Sequence, residues 1–429
     1  MKRLPFALFL CCSLFPLTAH ALSLEEGLKV VTETGRDVQI ARTDETIARD
    51  AVSLARSPWL PSVDIYGRET WLQNQPAAKF GSMTVPTSQD QFLTYGVKAT
   101  QLLYDFGKTS SSINAAHYGL QSREIETRAA KNRSSLDFIL AYLDLLEAEK
   151  LLQVSTDEVK NYEAHKKDTE ARYSAGVITR NEVLQSDVVL ADSRQRFLTI
   201  ENLRSLRASR INSLLMRPLN DEVQTVEVDA SPAAGISLED AWTFAAAESP
   251  EIRDLDARIG AKDEGVKATR AEYLPTVFLS GGYEYLENEY MVHQDNWSVI
   301  AGVNINLFSG GASDSKVRIA KSEAAGLRLV REKVLDGLRL EIKGAYLELQ
   351  SSMQKIEVAK TAVAQAEENL RLQKLRYQEG VGTTTEVLDA VTLLTAAGSN
   401  SWKALYSVKR SEAGLLHAMG RDLASIYAK

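Results

Sequence analysis

The segment YSAGVITRNEVL at Tyr173–Leu184 recurs as YQEGVGTTTEVL at Tyr377–Leu388, and this repetition indicates how the chain is built. Outward from these segments, residues 22–217 recur as residues 236–420. The repeated unit has about 200 residues, which is far longer than the unit of a solenoid protein. The sequence therefore predicts two fused structural halves: a first repeat at 22–220, a linker at 221–235, a second repeat at 236–420 and a short C-terminal tail at 421–429.

The N-terminal residues 1–21 have the pattern of a secretory signal peptide. Lys2 and Arg3 give a charged start, Leu4–Leu17 is apolar, and residues 19–21 form a small-x-small cleavage site. The apolar stretch is short for a membrane anchor, which needs about 20 residues. Both cysteines of the chain lie in this segment, so the mature chain is predicted to have no disulfide and no thiol chemistry.

Two long tracts lack proline, one from Thr87 to Arg217 and one after Thr276. Both are rich in strong helix formers, and they are interrupted only near Gly176 and Gly380. Each tract is predicted to form a helical hairpin, at 108–217 and at 312–419, with its turn near one of these glycines. An arm of about 65 residues is roughly 100 Å long at 1.5 Å per residue. Helices of this length must pack against one another as coiled coils.

A shorter helix is predicted at the start of each repeat. Capping-box spacing marks its first residues: Ser23 with Glu26, and Ser237 with Asp240. Proline disfavours a helical conformation in the residue before it, so these helices are expected to end at Pro58 and around Leu274-Pro275.

Between the short and long helices lie segments in which apolar and polar residues alternate, predicted to form two β-hairpins at 63–103 and 277–307. Strands of ten or eleven residues have the length of a tilted strand in a membrane, and aromatic residues at their ends suit an interfacial girdle. Strands of a soluble sandwich alternate in the same way. If the strands span a membrane, four cannot close a barrel, and lipid does not tolerate an open sheet edge. Two chains would supply eight strands and three would supply twelve.

Composition and spacing argue against several function classes. A formal net charge of −7 disfavours nucleic acid as a partner. The stretch Phe106–Thr109 ends like a phosphate-binding loop, but Leu102 stands where its first glycine is required. The histidines of the mature chain are scattered without metal-ligand spacing, and no nucleophile–base arrangement is visible. The sequence therefore predicts neither an enzyme nor a cofactor or metal protein.

The chain resembles the TolC family of outer-membrane efflux proteins. The resemblance covers nearly the whole mature chain and rests on motifs duplicated in the same order: the Ser-Leu-x-Glu openings, the Leu-Pro pairs before the strands, LYDFG at Leu103–Gly107 with LFSGG at Leu307–Gly311, and the two hairpin turns. It implies a mixed α and β membrane protein, in which three chains form a 12-stranded β-barrel in the outer membrane of a Gram-negative bacterium. A long α-helical coiled-coil barrel would continue across the periplasm. The partners it implies are a periplasmic adaptor and an inner-membrane pump of RND or ABC type.

Two groups of site residues follow. Gly176, Val177, Gly380 and Val381 are predicted at the helix tips that meet the adaptor, because apolar valines stand where a solvated turn would be polar. The alternative is that these valines only hold each hairpin closed.

The second group is a periplasmic entrance. Glu386 and Asp389 are three positions apart, so they share one helix face and would form charged rings in a trimer. The resemblance adds Tyr377 and Glu182 as closing residues, but Gly382 stands where the best-known member has an arginine. Alternatively, the two acids are only solvated charges near a helix N-terminus.

The sequence thus predicts a passive exit duct of a tripartite efflux or type I secretion system. Small toxic compounds and secreted proteins remain alternative cargoes, because the tube would be alike for both. A periplasmic adaptor is the alternative from another class, although it would normally have one hairpin and no membrane-length strands.

Overall fold

The computed structural model describes residues 21–228, 233 and 235–427. The predicted signal peptide therefore lies outside the described residues, apart from Ala21, as do parts of the predicted linker and tail.

Both repeats contain two short helices, two long strands and two long helices in the same order, and the first repeat has an additional pair of short strands. The first consists of α1 (Leu24–Thr34), α2 (Arg36–Arg56), β1 (Ser62–Trp71), β2 (Ala77–Phe80), β3 (Met83–Pro86), β4 (Gln91–Tyr104), α3 (Lys108–Ser174) and α4 (Arg180–Leu214). The second consists of α5 (Leu238–Glu248), α6 (Pro250–Ala271), β5 (Thr276–Leu286), β6 (Asp295–Asn304), α7 (Ala312–Gln378) and α8 (Thr384–Ala418), followed by α9 (Leu423–Tyr427). The expected mixed α and β fold with long helical hairpins is confirmed.

The two hairpins match each other in length. The outgoing helices α3 and α7 have 67 residues each, and the returning helices α4 and α8 have 35 each. Each of the two longer helices, α3 and α7, extends for roughly 100 Å. In the part of the chain that the structure describes, no helix is both long and apolar enough to cross a membrane.

The start of each repeat corrects the sequence analysis, because two helices stand where one was predicted. α1 ends at Thr34 and α2 begins at Arg36, with the intervening Gly35 extended at ψ 140°. A Cβ atom on Gly35 would lie 2.3 Å from the Val31 carbonyl oxygen, so glycine suits this tight break. In the second repeat the break is at Ser249, and Pro250 starts α6 at a position where its missing N–H costs nothing.

Four long strands form one antiparallel sheet in the order β1-β4-β5-β6, so the pairing of β4 with β5 joins the two repeats. Its register separates two faces. One carries rows such as Ile65–Val97–Tyr283–Trp297, and the other carries rows such as Asp64–Lys98–Gly282–Ser298. The sheet therefore has an apolar face and a polar face.

Two strand predictions need correction. β6 ends at Asn304 rather than Leu307, because Asn304 pairs with Thr276 and the neighbouring strand begins there. The loop predicted between the first pair of long strands contains the small hairpin β2–β3, whose alternation is too short to stand out in the sequence.

The main hydrophobic core gathers α1, α3, α5, α8 and α9 around buried side chains such as Phe138, Tyr142 and Leu415. The Tyr142 hydroxyl is 2.7 Å from the Val226 carbonyl oxygen and fixes the start of the linker to α3. Burial raises the pKa of Tyr142 to about 12, so it stays a neutral donor. The predicted tail is also corrected here, because it contains α9 and its Leu423 is fully buried in this core.

Candidate channel entrance at the hairpin tips

Each helical hairpin reverses through a Schellman turn. In the first turn Gly176 has a φ of 73°, its N–H donates to the Tyr173 carbonyl, and the Val177 N–H donates to the Arg172 carbonyl. In the second turn Gly380 has a φ of 75° and the same bonds run to Tyr377 and Arg376. The left-handed conformation required at this position is one that glycine adopts without strain. The two glycines therefore build equivalent tips.

The valines after these glycines project from the tips. Val177 is 65% exposed and Val381 is 70% exposed. In a Schellman turn, an apolar residue at this position often packs on the residue three positions before the helix end. Here those residues are Arg172 and Arg376, and the high exposure shows that neither valine is part of a packed core. This exposure does not support the alternative in which the valines close the hairpins.

Both returning helices start with a capping box. The Glu182 carboxylate accepts from the Thr179 N–H, and the Glu386 carboxylate accepts from the Thr383 N–H at 2.8 Å. Glu386 also lies 3.5 Å from the Arg376 guanidinium. The backbone hydrogen bond from Thr383 is the main cause that lowers the pKa of Glu386, with Arg376 acting in the same direction. Glu386 is therefore an anchored anion, while Asp389 is exposed one turn further along α8.

Tyr377 and Glu182 are brought together through a third residue. The Thr384 hydroxyl donates to the Glu182 carboxylate at 2.7 Å, and the same oxygen is 3.4 Å from the Tyr377 hydroxyl. Thr384 is only 1% exposed. A hydroxyl has one proton to donate and can also accept a hydrogen bond. Thr384 can therefore accept a hydrogen bond from the Tyr377 hydroxyl while it donates its own proton to Glu182. This chain joins α7, α8 and α4, and Thr384 was missed by the sequence analysis.

Tyr377 is also held by α3. It is 4% exposed, and burial is the main cause that raises the pKa of its hydroxyl. The Arg172 guanidinium lies 4.6 Å from the centre of its ring and donates to the Gln378 carbonyl oxygen at 3.1 Å. A cation over an aromatic face is attracted by about 0.5–2 kcal/mol. The Arg-Tyr pair occurs before both turns, as Arg172-Tyr173 and Arg376-Tyr377, and is the sequence signal that could have identified Arg172.

The structure of the second turn explains why a glycine occupies position 382. Its N–H donates to the Arg376 carbonyl, and a Cβ atom here would lie 2.9 Å from the Tyr377 nitrogen. Any side chain at this position would force the turn to shift. Arg376, beside Glu386, and Arg172, over Tyr377, place positive charge at the tips although position 382 has none.

The matches to known proteins agree with this architecture. The family model of the outer membrane efflux protein matches residues 29–215 and 244–421, most of both repeats. The chain belongs to the outer membrane efflux protein family. This efflux protein is a channel component of the Gram-negative outer membrane that extends into the periplasm. The alternative of a periplasmic adaptor has no support among these matches.

Two curated relatives and one solved structure show how far the likeness extends. The outer membrane efflux protein BepC of Brucella suis is 23% identical over 335 residues, which are 76% of this chain and 72% of BepC. The outer membrane protein TolC of Salmonella enteritidis is 22% identical over 441 residues, which are 98% of this chain and 86% of TolC. The crystal structure of VceC from Vibrio cholerae has a TM-score of 0.79 at 19% identity and covers 93% of this chain and 96% of that one. This last likeness establishes the fold of the efflux protein.

Proposed function

We propose that three copies of this efflux protein form one duct, which receives substrates at the helix tips and releases them outside the outer membrane. The main support for this proposal is the β-sheet, whose two edge strands have no partner on their outer sides among the described residues. Within the described chain, β1 and β6 each have a single neighbouring strand, so both outer edges offer unpaired backbone groups. In lipid such groups must be satisfied, and pairing β1 of one chain with β6 of the next does so. Three chains then give a closed barrel of twelve strands.

The two faces of the sheet support this arrangement. Rows of Val, Ile, Tyr and Trp would face lipid, while Asp64, Lys98 and Glu284 would face the lumen. The helical part supports it as well. α4 and α7 lie at the two outer edges of the packed hairpins, because α3 packs against α4 and α8, and α7 packs against α8. Both edges expose large apolar side chains, among them Val188 on α4 and Leu340 on α7. Contact between these edges in neighbouring chains would bury them.

Cysteine cross-linking in outer-membrane fractions tests the trimer. Both native cysteines are in the predicted signal peptide, so the mature chain offers a cysteine-free background. Cysteine pairs that combine Ile65 of β1 with Val299 or Ala301 of β6 should give covalent trimers on oxidation. Ile65 combined with Gly281 is the control, because β5 lies between β4 and β6 within its own chain. A chain that stays monomeric and soluble in the periplasm would overturn the proposal.

At the helix tips, the exposed Val177 and Val381 are proposed to dock a periplasmic adaptor that links the duct to an inner-membrane pump of RND or ABC type. Glu182, Tyr377, Glu386 and Asp389 are proposed to surround the entrance. This assignment is supported by the position of the four residues. They lie within or just after the two turns, where the helices of three chains would converge.

The hydroxyl of Thr384 provides a test of closure. Thr384→Val keeps the shape of the side chain but removes the link between Tyr377 and Glu182, which costs about 1–3 kcal/mol per chain if the buried partners stay unpaired. We expect trimers of this variant in planar bilayers to conduct more than wild type. Thr361→Val is the matched control, because the exposed Thr361 bonds only within α7, to the Glu357 carbonyl. Equal conductance in wild type and Thr384→Val would show that this link does not hold the entrance.

A further inference from the structure

We propose that His165 is a positioning residue of this entrance: its neutral ring holds Tyr377 in the closed arrangement, and protonation releases it. The inference rests on the proposed function, because it assigns a regulation to the same entrance. It concerns a residue that the sequence shows only as an isolated histidine on α3.

The imidazole is buried beside the closing tyrosine. His165 is 6% exposed, and its ring centroid lies 5.1 Å from that of Tyr377 at an interplanar angle of 56°. Its Nε2 atom is buried and has no hydrogen-bond partner among the described residues. A neutral ring can leave Nε2 as an unpaired acceptor at modest cost. A protonated ring must place an N–H of a cation there, with no acceptor.

Charges of both signs surround the ring. Asp168 and Arg172 act on it from its own helix, Lys374 from α7 and Glu182 from α4. From α8 the core at this tip contains the apolar side chains of Val387 and Leu388, and the buried hydroxyl of Thr384 lies against Tyr377. The two cations and two carboxylates offset each other in sign, so burial has the largest effect and lowers the pKa of His165 below its usual value.

The direction of the pH effect follows from this burial. In an opened tip the imidazole would be solvated and would titrate near its ordinary pKa of about 6.5. The closed state binds the proton less tightly than the open state. Closure is therefore fully favoured above about pH 6.5 and is lost progressively as the pH falls below it. Each chain can change the closed-to-open ratio by at most about tenfold per pH unit, and three chains can act together.

Protonation of His165 would open the entrance through its contact with Tyr377. This ring also contacts Arg172 and, through Thr384, Glu182. A cationic His165 adds a positive charge next to Arg172 and must move towards water to be solvated. Its withdrawal removes one wall of the Tyr377 site, so α3 and α7 separate at the tip.

Conductance of purified trimers in planar bilayers tests the proposal. The solution on the side of the helix tips is acidified from about pH 7.5 to about pH 5.5, the range in which histidine titrates. The conductance of wild type should rise at least about threefold over this range. This rise is within the limit of about tenfold per pH unit per chain on the closed-to-open ratio. His165→Phe retains a ring beside Tyr377 but cannot titrate, so its conductance should stay constant. His165→Gln is a second variant that cannot titrate, in case the phenylalanine disturbs trimer formation.

His417→Phe is the matched control. His417 is a second histidine whose pKa burial lowers, but it lies at the end of α8 beside the main core, far from the tips. This variant should respond to pH as wild type does. A wild-type channel that is constant between these pH values, or a His165 variant that still responds, would overturn the inference. Trimers that form no channel at all would instead contradict the proposed function.

Discussion

Exchanging Gly176 for arginine is expected to abolish export while heat-resistant trimers remain in the outer membrane. Gly176 has a φ of 73°, and a Cβ atom there would meet no other atom within 4 Å. The only structural cost is a non-glycine residue in left-handed backbone, about 1–2 kcal/mol. The tip therefore still forms, but a long cation now projects from the surface proposed to meet the adaptor. Val177→Asp should act in the same direction, because it places a charge where an apolar side chain is 65% exposed.

Substrate efflux from whole cells, together with the amount of trimer in the outer membrane, measures this effect. Gly81→Arg is a close control, since Gly81 has a φ of 66° and open space around it but lies in the β2–β3 turn of the strand domain. Val292→Asp is the control for the valine, because Val292 is 93% exposed in the loop before β6. Normal efflux by the Gly176 and Val177 variants would remove the docking assignment.

Neutralising Glu386 and Asp389 together is expected to weaken the cation selectivity of the channel. The half-blocking concentration of divalent or trivalent cations, added on the side of the tips, should rise at least about tenfold, equivalent to about 1.4 kcal/mol. Glu386→Gln is preferred to alanine because glutamine can keep the capping box with Thr383, so that α8 still begins at the same residue. Asp389→Asn removes a charge from an exposed position and leaves the helix surface polar. In a trimer the double change removes six negative charges from the proposed entrance.

Ion selectivity and block in planar bilayers decide this prediction. The matched control is Glu357→Gln with Glu368→Gln, which also removes two carboxylates per chain. Both control residues are paired with a basic side chain three positions later on α7, Lys360 and Arg371 respectively. Glu368 lies ten residues before the end of α7, or about 15 Å along the helix. If the entrance double variant and this control behave alike, the two acids of α8 do not line the entrance.

Local signals explain the parts of the fold that could be predicted. The absence of proline and the repeated glycine turns predicted long helices that reverse near Gly176 and Gly380, and the capping threonines and glutamates lie within one turn of each other. Alternation of apolar and polar residues in Trp297–Leu307 predicted a strand, but the residue at which the strand ends depends on its pairing with the neighbouring strand. These features depend on contacts between residues close in sequence, so the chain displays them directly.

The breaks and short elements were harder to recognise. Gly35 stands in a helix-forming context, and only the close approach of its backbone to Val31 shows why the chain bends there. α9 has five residues, too few for a periodic pattern, and it is ordered by burial of Leu423 against the main core. The prediction of Tyr377 and Glu182 as a pair came from resemblance, and their connection through Thr384 could not be read from spacing.

The duplication, the helix and strand classes and the positions of both helix turns can be read from the sequence alone, and the repeated motifs indicate the family. Those properties are encoded by local propensity and periodicity. Which side chains meet at the hairpin tips is visible in the tertiary structure alone. His165 and Tyr377 lie on different helices and are separated in sequence by about the length of a whole repeat, and they become neighbours because α3 and α7 end side by side. Contacts of this kind depend on how two hairpins align over roughly 100 Å, and no local pattern of residues records that alignment.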